Sequence, residues 1–375
     1  MAEPVVHIVG AGLAGLSTAV RLTERGQRVV VHEANPFAGG RCRSYHDPRL
    51  DRVIDNGNHL LLSGNRSALA YLATIGAADR MTAHPARFAF VDLADGSRWT
   101  IAPNRGPLPW WIFVPGRRAP GTNAGAYLAA RRLALAGVDI TVAQAIPGRG
   151  PAWQRFWEPL TLAAINATPE HASAALLWPV LRETFLRGAE YCRPLLAPHG
   201  LAQALVAPAV EWLQRRGAEI RFGRVLQQVE CTEDRAMELQ FADGDEPLGP
   251  VDRAVLALPP WRLGKVYPQA DSPSGSGSIL NLFYRLAAPL PGGTPPLTGV
   301  VSGTADWIFL RGDVASATIS AAGERDMDTS DIPALIAEVW GNVRSALQLP
   351  PDAEPLASRI NWERRATFDQ TPAGN

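Results

Sequence analysis

A chain of 375 residues has room for two domains with sizeable cores, and 46% hydrophobic with 19% charged residues is ordinary globular composition. Lys plus Arg and Asp plus Glu balance at 36 each, which excludes a global field that would recruit nucleic acid. Cys42, Cys192 and Cys231 are odd in number and stand in no CxxC or His-paired pattern, which argues against a disulfide framework or a zinc site and for a reducing cytoplasm.

The start, MAEPVVHIVG, runs into a strand without the basic region and apolar core of an export signal, and nowhere do about 18 uncharged apolar residues run together. Val5 to Val9 reads as a short buried strand. Leu13, Leu16, Ala19 and Val20 then recur at helical spacing up to Gly26, and Val29 to His32 reads as a second strand. A strand, helix, strand unit of this length crosses over right-handed into a parallel sheet.

Gly10, Gly12 and Gly15 form GxGxxG between that strand and helix, and Glu33 closes the second strand 18 residues after the last glycine. The pattern and its context predict a dinucleotide site. Gly10 permits the tight turn, Gly12 lets the backbone of Ala11, Leu13 and Ala14 approach a pyrophosphate, and Gly15 lets helix and sheet pack closely. Glu33, followed by Ala34, is placed to accept hydrogen bonds from ribose hydroxyls. A second glycine turn, Gly39–Gly40–Arg41, and the turn Asp55-Asn56-Gly57-Asn58-His59 extend the pattern toward a longer cofactor, FAD. Arg41 is expected to face its pyrophosphate or ribityl region.

Residues 65 to 76 read as a helix with Asn65 as cap and Gly76 as stop. From 81 to 121 the chain is rich in Pro, Trp and short β-like runs; 123 to 136 and most of 153 to 190 look helical. A helix at 201 to 217 precedes strands in AEIRFGRVLQQVEC, MELQFADG and VDRAVLALPP. ADSPSGSGS (270 to 278) and PLPGGTPP (289 to 296) read as turns or linkers, followed by strands GVVSG, DWIFL and SATIS and a helix at 331 to 347.

VHIVGAGLAGLSTAVRL, VHEANPFAGGRCRS and IDNGNHLLLSGN together resemble the amine oxidase and phytoene desaturase superfamily of flavoproteins. Within it they are most similar to the squalene-associated FAD-dependent desaturases, understood as hydroxysqualene dehydroxylases of hopanoid biosynthesis. RFWEPLTLAAINATPEHASAALLWPVL, PHGLAQAL and VDRAVLALPP are also similar to that family, so the likeness covers most of the chain. It implies an α/β fold, a Rossmann-like FAD-binding domain (1–76 and 197–262) with an inserted α+β substrate domain (77–196 and 263–375). It also implies that Val225 meets adenine through its backbone. The family normally ends in a Gly-Asp pair and a helix that close over the cofactor; the chain stops at ERRATFDQTPAGN, so this C-terminal segment is expected to be missing.

The implied reaction is reductive removal of the hydroxyl of hydroxysqualene to give squalene, with an isoprenoid lipid as substrate. Rival readings on the same fold are a carotenoid desaturase and an amine oxidase; a flavin-free prenyl carrier is the rival from another class. Asp55, His59, Tyr191 and His199 are candidate proton donors by residue type. The segment LPWWIFVPGRR, with Trp110 and Trp111 beside Arg117 and Arg118, is a candidate peripheral contact with the inner face of the cytoplasmic membrane. No second GxGxxG is present, so reducing equivalents are expected from another protein or a transient site.

Overall fold

The computed structural model describes residues 3–233, 235–273, 275–325, 327 and 329–374; Ser274, within the expected 270–278 linker, lies outside them. β1 (Val5–Val9), α1 (Leu13–Glu24) and β2 (Arg28–Glu33) form the expected unit. β1 and β2 pair in parallel with Val9 opposite His32, which obliges the chain between them to cross over the sheet. Strand Glu219–Phe222 adds outside β2 and strand Arg253–Leu256 beside β1, giving a four-stranded parallel sheet from two distant parts of the chain.

The near-continuous Val and Ile of these strands follow from burial on both faces. Leu16, Ala19 and Val20 of α1 pack with Val6, Ile8, Val29 and Val31, and helix Ala207–Gln214 adds Ala209, Trp212 and Leu213. Each large aliphatic side chain so buried contributes about 1.5–3 kcal/mol.

A second core lies in a seven-stranded sheet, in the order Ala357–Phe368, Ser276–Arg285, Val314–Ile319, Trp307–Arg311, Leu297–Val301, Phe88–Asp92, Arg98–Ile101. All its pairs are antiparallel except Leu297–Val301 with Phe88–Asp92. Helix Ile332–Ala346 covers one face: Leu335, Val339 and Val343, spaced by four, meet Leu280, Leu282 and Tyr284. Short helices between residues 124 and 183 pack against the other end of the sheet around Phe88, Phe90 and Trp157.

Several elements differ from the expected ones. The linker at 270–278 gives way to strand Ser276–Arg285, because Ser276 and Gly277 pair with Phe368 and Thr367. Strand Ala357–Phe368, not anticipated from the sequence, is an edge strand carrying Arg359, Glu363, Arg364 and Arg365; Ile360 and Trp362 pack on the core, and the backbone ladder to Ser276–Arg285 holds the rest. The helix at 123 to 136 divides into Ala124–Leu128 and Ala130–Ala134, and the π-turn Trp153–Trp157 interrupts the helical stretch after 153. Trp110–Phe113 is a 3-10 turn that buries Trp111, 3% exposed, and leaves Trp110 48% exposed. Trp111 is therefore core, packed on Tyr127, and the expected pair of surface tryptophans is corrected to Trp110 alone.

Within the parallel sheet, His7 and His32 are buried side by side, His7 Nδ1 lying 3.1 Å from His32 Nε2, and His32 stacks on Phe241. Burial, then the neighbouring His7, lowers the His32 pKa to about 3, and burial lowers that of His7. The unfolded chain therefore binds protons that the folded one refuses once the pH falls below about 6.5. Stability should decline from that pH toward about 3. His32→Gln, which can keep the bond to His7, is expected to flatten the dependence of the urea midpoint on pH between these limits.

Candidate functional site

The first glycine turn is shaped by contacts that exclude a side chain. Gly10 has φ +106°, donates its N–H to the His32 carbonyl at 2.7 Å, and a Cβ there would lie 2.4 Å from the Ala257 carbonyl oxygen. A Cβ on Gly15 would lie 1.8 Å from the Gly10 carbonyl oxygen, so α1 rests directly on the turn. Gly12 is the opposite case: nothing lies within 4 Å of a Cβ built on it. It begins α1 without a side-chain cap, no acid stands in the first turn, and Leu13 and Ala14 are exposed. Free N–H groups at a helix N-terminus beside an open glycine suit a pyrophosphate.

Glu33 is buried at the end of β2. Its carboxylate accepts from Ala11 N at 2.8 Å and from Asn35 N and Nδ2 at 2.9 and 2.8 Å, so it faces the glycine turn with acceptor capacity left over. Ala34 is exposed beside it. The Arg224 N–H bonds the Glu33 carbonyl, which sets Val225 next to this end of the sheet; the Val225 carbonyl accepts from Ala242 N.

The second glycine turn docks on the first. Gly39 N donates to Ala11 O at 2.8 Å, Gly39 bridges Gly12, and a Cβ on Gly40 would lie 3.3 Å from the Gly12 Cα. The exposed Arg41 reaches the carbonyls of Arg365 and Ala366 through one NH group, so it ties edge strand Ala357–Phe368 to the turn.

The Asp55–His59 turn leads from the hairpin strand Arg52–Asp55 onto the seven-stranded sheet. A Cβ on Gly57 would lie 3.1 Å from Asn281 Nδ2. The Asn58 amide donates to Thr318 Oγ1 at 2.9 Å and accepts from Ser316 Oγ at 2.8 Å, while Asn361 donates to the Asn56 carbonyl. β3 (Ser44–Asp47) and β4 (Arg52–Asp55) present Asp55, whose carboxylate accepts from Ser44 Oγ, from Leu201 N at 2.9 Å and from Arg311 at 2.6 Å. Asp55 is thus a buried anchor whose carboxylate is paired with Arg311 and hydrogen-bonded on both oxygens. Gly200, φ +102°, is needed there because a Cβ would lie 2.8 Å from Ser44 Oγ.

Three cavities run outward from this turn. One of about 280 Å³ is lined by Asp55, Asn58, His59, His84, Phe283 and Arg311. The next, about 890 Å³, has an apolar wall that includes Leu60, Phe88, Phe90, Phe156, Phe185 and Trp307. Consecutive residues His59 and Leu60 separate the two. A third, about 300 Å³ and almost wholly apolar, shares Phe156 and Phe185 with the second. The His59 ring keeps Nδ1 2.9 Å from the Gly57 carbonyl, so Nδ1 carries hydrogen and Nε2 is the other working atom. Burial lowers the pKa of His84. Neither Tyr191 nor His199 lines these cavities: Tyr191 lies under Arg187 and His199 is exposed.

A family model described as flavin containing amine oxidoreductase matches residues 13–369. The hydroxysqualene dehydroxylases of Rhodopseudomonas palustris and Zymomonas mobilis are 42% and 38% identical, each over 99% of this chain and 88% of the relative. The chain belongs to the flavin-containing amine oxidoreductase family. Among solved structures, a putrescine oxidase variant superposes with a TM-score of 0.73 at 15% identity over all of this chain and 90% of its own. A putative protoporphyrinogen oxidase from Exiguobacterium gives 0.69 at 16% identity, over 99% and 88%. These last two share the fold, as expected of the α/β class.

Membership of the flavin-containing amine oxidoreductases supports FAD as cofactor, and the geometry of the two glycine turns, the uncapped α1 and Glu33 fits such a nucleotide. Sequence reasoning missed His84, Asn281, Ser316 and Thr318. Their nearness to the turn depends on pairing of Thr82–Ala83 with Leu195–Leu196 and on the seven-stranded sheet, neither of which leaves a local motif.

Gly12→Val is expected to abolish FAD binding, read by absorbance and release of the flavin, while leaving the melting temperature of the flavin-free protein unchanged. Gly15→Val should instead unfold the unit. Asp55→Ala strands Arg311 and is expected to cost about 3 kcal/mol in urea denaturation.

Proposed function

We propose that the protein is an FAD-dependent oxidoreductase that removes the hydroxyl of hydroxysqualene to give squalene. The observation that carries this reading is the likeness to named hydroxysqualene dehydroxylases over 99% of the chain, joined to a largely apolar cavity of about 890 Å³ whose lining begins at Leu60, next to His59. That volume lies near the upper end of ligand pockets and suits a long hydrocarbon. A zeta-carotene desaturase from Synechococcus elongatus is 27% identical over 64% of this chain, a weaker and shorter likeness.

When bound, reduced FAD supplies the hydride that takes the place of the departing hydroxyl. The protein's own part is to bind, orient and exclude water. Phe88, Phe90 and Trp307 bury the polyene, and their ring faces stabilise positive charge on the allylic carbons as the C–O bond breaks. His59, entering the step as the imidazolium with its Nδ1–H held by the Gly57 carbonyl, donates the Nε2 proton to the hydroxyl, which leaves as water, and the ring is left neutral; a C–H bond replaces the C–O bond. Glu33, Gly12 and Gly40 hold the nucleotide, and Asn281 with Thr318 holds the turn that carries His59. An isoprenoid substrate resides in lipid, and the protein meets the cytoplasmic membrane peripherally on the side of Trp110.

Anaerobic incubation with hydroxysqualene and chemically reduced holoprotein should yield squalene; recovery of unchanged substrate, or desaturation of phytoene by the oxidised form, would sink the reading. His59→Ala is expected to lower kcat by about 10²–10⁴-fold with the bound-flavin spectrum retained.

A further inference from the structure

Seven of the thirteen large hydrophobic side chains exposed among the described residues fall between positions 108 and 138, about one-twelfth of the chain. Leu108, Trp110, Phe113 and Leu135 are the most prominent, Leu135 being 86% exposed. Single exposed apolar residues are ordinary, but a concentration of this kind on one segment marks a surface that meets an apolar partner.

Charge points to which partner. Residues 104–150 hold six arginines, 105, 117, 118, 131, 132 and 149, and one acid, Asp139: six minus one is +5. The whole chain balances 36 against 36, so the remainder carries −5. Arg105 lies 3.7 Å from Glu190, whereas Arg118, Arg131, Arg132 and Arg149 have no carboxylate partner among the described residues. Arg117 stacks 4.8 Å over the Trp110 ring, placing a cation beside an aromatic at the surface. Unpaired cations around exposed aromatic and aliphatic side chains match an anionic lipid headgroup layer above acyl chains.

The same residues border the way in. Pro109, Leu128, Arg131 and Leu135 line the apolar cavity of about 300 Å³, and Phe156 and Phe185 line both it and the cavity of about 890 Å³. Both phenylalanines sit on irregular backbone: Phe156 on the π-turn that precedes Pro159, and Phe185 just past a helix with Pro179 in its interior. Such backbone has fewer regular hydrogen bonds to break when a side chain swings.

We infer that residues 105–149 form a docking surface for an anionic bilayer, and that the cavity beneath Leu128 and Leu135 is the vestibule through which a lipid passes the Phe156–Phe185 pair. No helix among the described residues is long and apolar enough to cross a membrane, so the contact is of the interfacial kind. The inference rests on the isoprenoid reading for its purpose, but not for its test.

Holoprotein is sedimented with phosphatidylcholine vesicles with and without phosphatidylglycerol, no substrate being added. Wild type should pellet with the anionic vesicles and be released by salt. Arg131→Gln with Arg132→Gln should bind about thirtyfold more weakly, and Phe113→Ser with Leu135→Ser about tenfold or more. All four side chains are exposed, and thermal melts check that both variants are folded. Equal binding to the two vesicle types, no binding to either, or variants that bind like wild type would overturn the inference. Vesicle binding without squalene formation from hydroxysqualene would strike the proposed reaction and leave the surface standing.

Discussion

The site depends on one constraint: stretches of backbone must touch where a Cβ cannot be fitted. Gly10 meets Ala257 and Gly15 meets Gly10 closer than side chains permit, and Gly40 lies tightly against Gly12. These contacts seat α1 on the parallel sheet, lock the second glycine turn onto the first and leave Gly12 open toward the cofactor. Conformational freedom matters for Gly10, Gly39 and Gly40, which have positive φ, but at Gly15 the requirement is space alone. The motif therefore carries both a packing rule and a binding rule, and the two can be separated because Gly12 serves only the second.

The other requirement is a polar seam between the Asn56–Asn58 turn, at the end of the β3–β4 hairpin, and the seven-stranded sheet. Asn281, Ser316 and Thr318 are almost fully buried, so their polar groups need partners from across the seam, and the Asn56–Asn58 turn supplies them. Asp55 with Arg311 completes it. A hydrogen-bonded network of this sort fixes the turn on the seven-stranded sheet in one placement, where apolar contacts alone would tolerate sliding. The Asp55–His59 turn is thereby held at the wall of the cavity it lines.

Much of this was legible in the sequence where function coincides with local pattern. The β1–α1–β2 unit, Glu33 and both glycine turns announce themselves by spacing. What was not legible depends on distant pairing. Asp55 looks like an acid at an active site until Arg311, 256 residues away, is seen to neutralise it. Trp110 and Trp111 look alike until the 3-10 turn sends one inward. Strand Ala357–Phe368 shows little apolar alternation beyond Ile360 and Trp362 because an edge strand gains the rest of its stability from the backbone ladder.

The cavities also bear on why one fold serves several reactions. An apolar wall stabilises any long isoprenoid by burial and discriminates weakly among them, since one methylene more or less is worth only about 1–3 kcal/mol. Burial of that sort favours ground state and transition state alike and does not itself accelerate a reaction. In the proposed reaction, choice of chemistry falls instead to the ring faces of Phe88, Phe90 and Trp307 that meet the charged carbons, to the polar groups around His59, and to how these are fixed relative to the nucleotide turns. The apolar length decides which molecule enters, and the groups at the reacting carbons decide what is done to it.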